Sequence, residues 1–300
     1  MWFSKSGGQE SSGGTGGYLN IPTPTLGGKQ FWTDYVWNDD WRVQQNALTG
    51  HWRLISPKNV RYAWGSQGAC EAALRERAEV ERAPDTHLVV LVHGLMRSSQ
   101  SMVPVGEAIS KAGIGRAVYF DYASTRRGIA QHASALRYWL EHLPGEPRVD
   151  FVCHSMGNIV VRRLMADLQR EGDAAGLLPR FGKVVMLGPP NQGADIARQL
   201  GKLGLFEIVT GRGGMELGPA WEDFQRELVP PTCPFMIIAG DIQSRWLKNP
   251  LVNGPSDLVV RVEEARLEGS EALHQVPVPH SFLMNDAEVQ RLTIEFLRAQ

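Results

Sequence analysis

Cysteine is scarce in this chain. Cys70, Cys153 and Cys233 are the only three, odd in number and widely spaced. They form neither a disulfide framework nor the paired spacing of a zinc site, so a reducing, cytoplasmic setting is the simpler inference. Long apolar runs are missing too: the longest aliphatic stretch, Leu88 to Val92, is far too short to span a bilayer. The opening, Met1 to Gly8, has none of the apolar core of a secretory leader. Charge of one sign is missing as well. The formal charge is −1, and lysine and arginine are scattered, which speaks against a nucleic-acid or polybasic membrane partner.

What is present is enough apolar sequence, in 300 residues, for one large α/β core. Residues 1–30, rich in Gly, Ser, Thr and Pro, read as a disordered arm. Residues 31–85 form a Trp-rich extension carrying Trp32, Trp37, Trp41, Trp52 and Trp64. Within it, Leu48-Thr49-Gly50 is the turn of a hairpin, the tryptophans read as packing residues, and a charged helix is expected over Glu71 to Glu81. From 86 to 300, short buried runs alternate with helical spacing. His87–Val92, Ala117–Phe120, Val149–Cys153, Lys183–Gly188 and Pro234–Ala239 read as strands, Leu258–Val260 as a short extended piece, and Asp286–Arg298 as a last helix capped by Asn285 with Glu288. Strands alternating with helices predict a mostly parallel sheet covered on both faces, with no repeat and no second core.

One stretch organises the rest. Val149 to Cys153 is a buried strand, His154-Ser155-Met156-Gly157 breaks it, and Val160, Leu164 and Leu168 resume at helical spacing. Ser155 is thereby placed in a tight strand-to-helix turn that lifts its hydroxyl above the sheet, where small flanking residues are required. Gly157 supplies one, and Cys153 stands at the other position, where glycine is usual. Cysteine is small enough for that place, and because it falls on the strand rather than at the apex it is not the expected nucleophile.

Cys153-His154-Ser155-Met156-Gly157 after a strand resembles the nucleophile elbow of the α/β-hydrolase fold, in its lipase and esterase branch. The resemblance covers about residues 86 to 300. It implies an α/β-hydrolase sheet with an antiparallel N-terminal hairpin, and a triad in the chain order serine, acid, histidine. Only His274 and His280 follow Ser155. His280, in a loop just ahead of the last helix, is preferred to His274. Asp257, before Leu258-Val259-Val260, resembles the acid turn of the family, which often has glycine where Leu258 stands. Asp241, directly after the strand ending at Ala239, is the rival. Asp121 precedes the serine and breaks the order. His93-Gly94-Leu95 resembles the oxyanion loop, which implies the backbone N–H groups of Leu95 and Met156 as donors, with His93 orienting the loop.

The span 196–232, with Ile196, Leu200, Leu203, Leu205, Phe206, Met215, Leu217 and Trp221, is either an apolar lid or an ordinary sheet-covering helix with a loose loop. The resemblance implies hydrolysis of small neutral carboxylic esters through an acyl-enzyme, without metal or organic cofactor. An acyltransferase using the same triad, or a hydrolase-fold binding protein without turnover, are the alternatives. Oligomeric state is not readable from the sequence.

Overall fold

The computed structural model describes residues 23–24, 29–77, 85–194, 216–218, 220–242 and 254–299. Its centre is a six-stranded parallel sheet: β6 (His87–Val92), β7 (Arg116–Phe120), β8 (Arg148–His154), β9 (Phe181–Leu187), β10 (Phe235–Gly240) and β11 (Ala272–Val276), in the order β11-β10-β9-β8-β6-β7. Before it in the chain comes an antiparallel sheet, built from β1 (Thr23–Pro24), β2 (Trp32–Asn38), β3 (Trp41–Asn46), β4 (Trp52–Ile55) and β5 (Val60–Gly65) in the order β1-β5-β4-β3-β2. The hairpin at Leu48–Gly50 joins β3 to β4. It belongs to this separate sheet rather than to the edge of the parallel one.

The inner parallel strands are mostly apolar because both faces are covered. Along β6, Leu88, Val90 and Val92 enter one core with α3 (Ile129–Glu141) and α4 (Met156–Glu171). Val89 and Leu91 enter the other, with α2 (Val103–Lys111) and the last helix, Ala287–Arg298. The alternation follows from the two-residue period of a strand. The last helix begins one residue later than expected, at Ala287. Asp286, not Asn285, accepts the N–H groups of Glu288 and Val289, and Val289, Thr293 and Leu297 are the buried residues. The edge strand β11 is not among the expected strands; its half-exposed Leu273-His274 and exposed Gln275 lack the apolar run of the inner strands. Leu258–Val260 is a loop rather than a strand.

The antiparallel sheet and α1 (Gln67–Arg75) close a smaller core around Val36, Val43, Leu54, Ala63, Cys70 and Leu74. Helix α1 starts earlier than Glu71 because Ser66 caps it, accepting the Ala69 N–H; residues 78–84 lie outside the described residues. The sheet leans on α3, with Trp37 against Trp139 and Tyr35 against Tyr138. Of the expected 1–30 arm, residues 1–22 and 25–28 lie outside the described residues, whereas Thr23–Pro24 pairs with β5 and Lys29–Phe31 forms a single 3-10 turn. Of the 196–232 span, 196–215 and 219 lie outside the description. In its described part Leu217, Trp221 and Phe224 are buried in the α3–α4 core. No helix among the described residues is long and apolar enough to cross a membrane.

Candidate active site

Ser155, Met156, Leu95, Asp241, Asp257 and His280 lie at or just beyond the carboxyl ends of the parallel strands, where open α/β sheets place their ligands. Ser155 sits between β8 and α4 with φ +53° and ψ −125°, a region that residues with side chains seldom occupy. The turn is held from several sides. The Ser155 N–H donates to the Leu187 carbonyl at 2.9 Å, and its own carbonyl accepts from the Asn158 backbone and side chain. Gly157 is required by crowding: a Cβ there would stand 2.6 Å from the Val92 carbonyl oxygen and 2.7 Å from that of His93. Cys153 lies between Val92 and Met186 in the sheet. Burial drives its thiol well above the ordinary range, so it acts as a small apolar residue.

His280 opens the 3-10 turn that follows β11, and its Nδ1–H donates to Asp257 Oδ2 at 2.6 Å. The Asp257 carbonyl also accepts the His280 N–H at 3.0 Å. The other carboxylate oxygen of Asp257 accepts the N–H groups of Val259 and Val260 at 2.9 and 2.7 Å. The aspartate is thus fixed as an acceptor before it meets the imidazole. Of the two candidate acids, Asp257 is the one joined to His280. Asp241 is engaged through its N–H with the Val276 carbonyl at 2.8 Å. His274 is paired in β11 opposite Ile238, away from this hydrogen bond.

Ser155 and His280 converge on the end of β9. Leu187 holds the serine, and a Cβ on Gly188 (φ +54°) would come within 3.0 Å of His280 Nδ1. A residue that sequence reasoning passed over tightens the junction. The Nε2–H of His154, next to the serine, donates to the His280 carbonyl at 3.0 Å, and the two rings lie 4.6 Å apart. Burial, with the neighbouring His280 acting in the same sense, keeps His154 well below its ordinary pKa and so neutral. Only its position beside the serine could have drawn attention to it.

Gly94 packs directly on the elbow. A Cβ there would be 2.9 Å from both Ser155 Cβ and His154 Nδ1. His93 Nδ1–H donates to the Gly94 carbonyl at 2.8 Å, and its Nε2 accepts the Tyr122 N–H at 3.3 Å. The carbonyl and N–H of a trans peptide point opposite ways, so this bond turns the Leu95 N–H away from His93. The Met156 N–H is the first of α4, one of the donors a helix leaves unsatisfied. Among the described residues neither the Leu95 nor the Met156 N–H has a protein acceptor. Two exposed apolar side chains rim this region: Met96, 54% exposed, follows Leu95, and Phe282, 60% exposed, lies two residues after His280.

No curated protein sequence matches the chain. Among solved structures, the mature form of Bacillus licheniformis lipase BlEst2 superposes with a TM-score of 0.56 at 17% identity, covering 73% of this chain and 94% of that one. The metagenomic carboxyl esterase MGS0156 gives 0.50 at 18% identity, with 67% and 68% covered. Aspergillus fumigatus lipase B gives 0.50 at 12%, with 72% and 53% covered. The shared architecture is the α/β-hydrolase fold. Residues 56–221, more than half of the chain, match the profile of the family described as "Domain of unknown function (DUF7379)", and the chain belongs to that family.

Proposed function

We propose that the protein is a serine hydrolase of carboxylic esters. The observation that carries the reading is a serine in a positive-φ strand-to-helix turn at the end of β9, where a histidine hydrogen-bonded to a buried aspartate also converges. With Asp257 on Nδ1, Nε2 is the ring nitrogen of His280 left to take the Ser155 proton. Ser155 Oγ attacks the ester carbonyl, and the N–H groups of Leu95 and Met156 receive the oxyanion. Collapse of the tetrahedral intermediate expels the alcohol, protonated by His280. Water, deprotonated by the same imidazole, then releases the acid from the acyl-enzyme.

The lipases and the carboxyl esterase of similar fold support the reaction class. Exposed Met96 and Phe282 support an uncharged, apolar ester over a charged one. The test is intact mass after exposure to a fluorophosphonate. One adduct on the wild type and none on Ser155→Ala is expected. No adduct on the folded wild type would overturn the mechanism, and an adduct surviving Ser155→Ala would move the nucleophile elsewhere.

A further inference from the structure

The N-terminal segment reaches the proposed oxyanion loop through side chains that the triad does not use. Gly94 to Arg97 is a turn closed by the Arg97 N–H on the Gly94 carbonyl at 3.3 Å. Its third residue, Met96, has φ +57°, a position where such a turn favours glycine. Something must hold a methionine there. The Met96 N–H donates to Ser124 Oγ at 3.1 Å. Ser124, fully buried, donates its own hydroxyl hydrogen bond to Gln30 Oε1 at 3.2 Å. Gln30 Nε2 in turn donates to the Arg97 carbonyl, the far end of the same turn.

Gln30 is itself anchored. Its neighbour Phe31 accepts the Ala47 N–H through its carbonyl at 2.7 Å, and in β2 Thr33 Oγ1 accepts the Ala123 N–H at 3.1 Å. The turn that carries Leu95 is therefore gripped from two sides. His93 fixes the Gly94–Leu95 peptide through its carbonyl, and Ser124 with Gln30 fixes the Leu95–Met96 peptide and the exit at Arg97. The Leu95 N–H lies between the two grips.

We propose that Gln30 and Ser124 are positioning residues for the oxyanion loop, so that the segment ahead of β2 takes part in turnover without touching substrate. This rests on the reading of Ser155 and Leu95 given above. A donor aimed at the oxyanion matters in the transition state more than in the bound ester, and loosening its support lowers kcat while sparing KM.

The test uses the full chain and four proteins: wild type, Gln30→Met, which keeps the side-chain length without the amide, Ser124→Ala, and Gln67→Ala as a control elsewhere in the N-terminal layer. Each is assayed with p-nitrophenyl butyrate, with butaneboronic acid as a tetrahedral-adduct inhibitor, and by thermal unfolding. Expected for Gln30→Met is a fall in kcat of about tenfold, the scale of a sub-ångström misplacement, with KM within about twofold and a boronate Ki raised by the same factor as kcat falls. Ser124→Ala is expected to lose more, because the Met96 N–H is then left without its acceptor, and Gln67→Ala to match the wild type. If Ser124→Ala does not fold, Gln30→Met alone decides. A lowered unfolding temperature with kcat and boronate Ki unchanged per folded molecule would make the bonds merely structural and overturn the proposal. A wild type that takes no fluorophosphonate adduct would instead remove the hydrolase reading and this inference with it, whereas a labelled wild type with an unaffected Gln30→Met removes only the inference.

Discussion

In the antiparallel sheet, the residues other than glycine at positive φ are Asp39, Asp40 and Asn59. Aspartate and asparagine tolerate the left-handed region better than other residues with a side chain. Asp39 and Asp40 form the two-residue turn between β2 and β3, whose twist calls for positive φ at both places. At the carboxyl rim of the parallel sheet the corresponding residues are Met96, Ser155 and Leu258, none of them at home there. Glu146, in the turn before β8, is the remaining case. One sheet meets its turns with suitable residues and carries little strain. The other concentrates strain, about 1–3 kcal/mol per residue, beside the residues proposed to do chemistry, where a dense hydrogen-bond lattice holds it.

The largest expected effect breaks that lattice at the acid. In Asp257→Asn, one oxygen can still accept from Val259 and Val260, but the amide would face His280 Nδ1 with a donor and favour the wrong tautomer. Ester turnover should fall by about 10³- to 10⁴-fold with the fold intact, measured as kcat beside the unfolding midpoint. A loss below tenfold would return the acid's role to Asp241.

The antiparallel sheet hides its tension in charge instead of backbone. Asp34 is fully buried; it accepts from Gln44 Nε2 at 2.6 Å and from the Asp121 N–H at 2.9 Å, with Arg42, Arg53 and the Asp121 carboxylate around it. Burial raises its pKa from 3.8 to about 6, Arg42 pulling the other way and Asp121 adding to the rise. Between those values the folded protein binds a proton that the unfolded chain has lost. Stability therefore falls as pH rises from about 4 to about 6, and the penalty is absent below about 4. Asp34→Asn should abolish this slope, so the difference in unfolding free energy between variant and wild type should grow in the variant's favour across that window. A constant difference would mean that Asp34 stays ionised throughout and the two sheets differ less than their burial suggests.

A paired substitution compares the two sheets at glycine. In Gly94→Ala the new methyl meets Ser155 Cβ and His154 Nδ1 at 2.9 Å, whereas at Gly50, in the β3–β4 turn, nothing lies within 4 Å. Gly94→Ala should lower kcat about a hundredfold by pushing the loop off the elbow. Gly50→Ala, at φ +73°, should cost only about 1 kcal/mol of stability and leave kcat unchanged. Equal kinetic effects would show that the elbow yields as easily as an open turn.

The same contrast explains what could be read in advance. Strands buried on both faces, such as His87–Val92 with its unbroken Leu88–Val92 and Arg148–His154 with its apolar Phe151-Val152-Cys153, announce themselves as apolar runs. In β2 the inner residues Thr33, Asp34, Val36 and Trp37 follow no simple alternation, because a bulge lies between Asp34 and Val36 and the buried polar groups pair across strands. Membership of a separate sheet was for that reason not legible. Ser155 and His280 were marked by local motif and chain order. The choice between Asp257 and Asp241 depended on which carboxylate the fold brings to His280 Nδ1, 23 positions along the chain. The parts played by His154 and Gln30 rest on contacts 126 and 67 residues apart in the chain, which no local pattern encodes.

The smallest effect concerns Leu258, where the family resemblance favours glycine. Leu258 has φ +82° directly after Asp257, whose carboxylate pulls the next two N–H groups into a tight turn. Left-handed backbone costs a residue with a Cβ about 1–2 kcal/mol, and a glycine introduced there loses about 0.4–1 kcal/mol through the greater freedom of the unfolded chain. The side chain is only partly buried, so little packing is given up. Leu258→Gly should therefore stabilise the protein by about 0.5–1 kcal/mol, read from denaturant midpoints at constant slope. Destabilisation instead would mean that the leucine side chain, and not the hydrogen bonds to Asp257, holds the turn, and that the strain at this rim is maintained by packing.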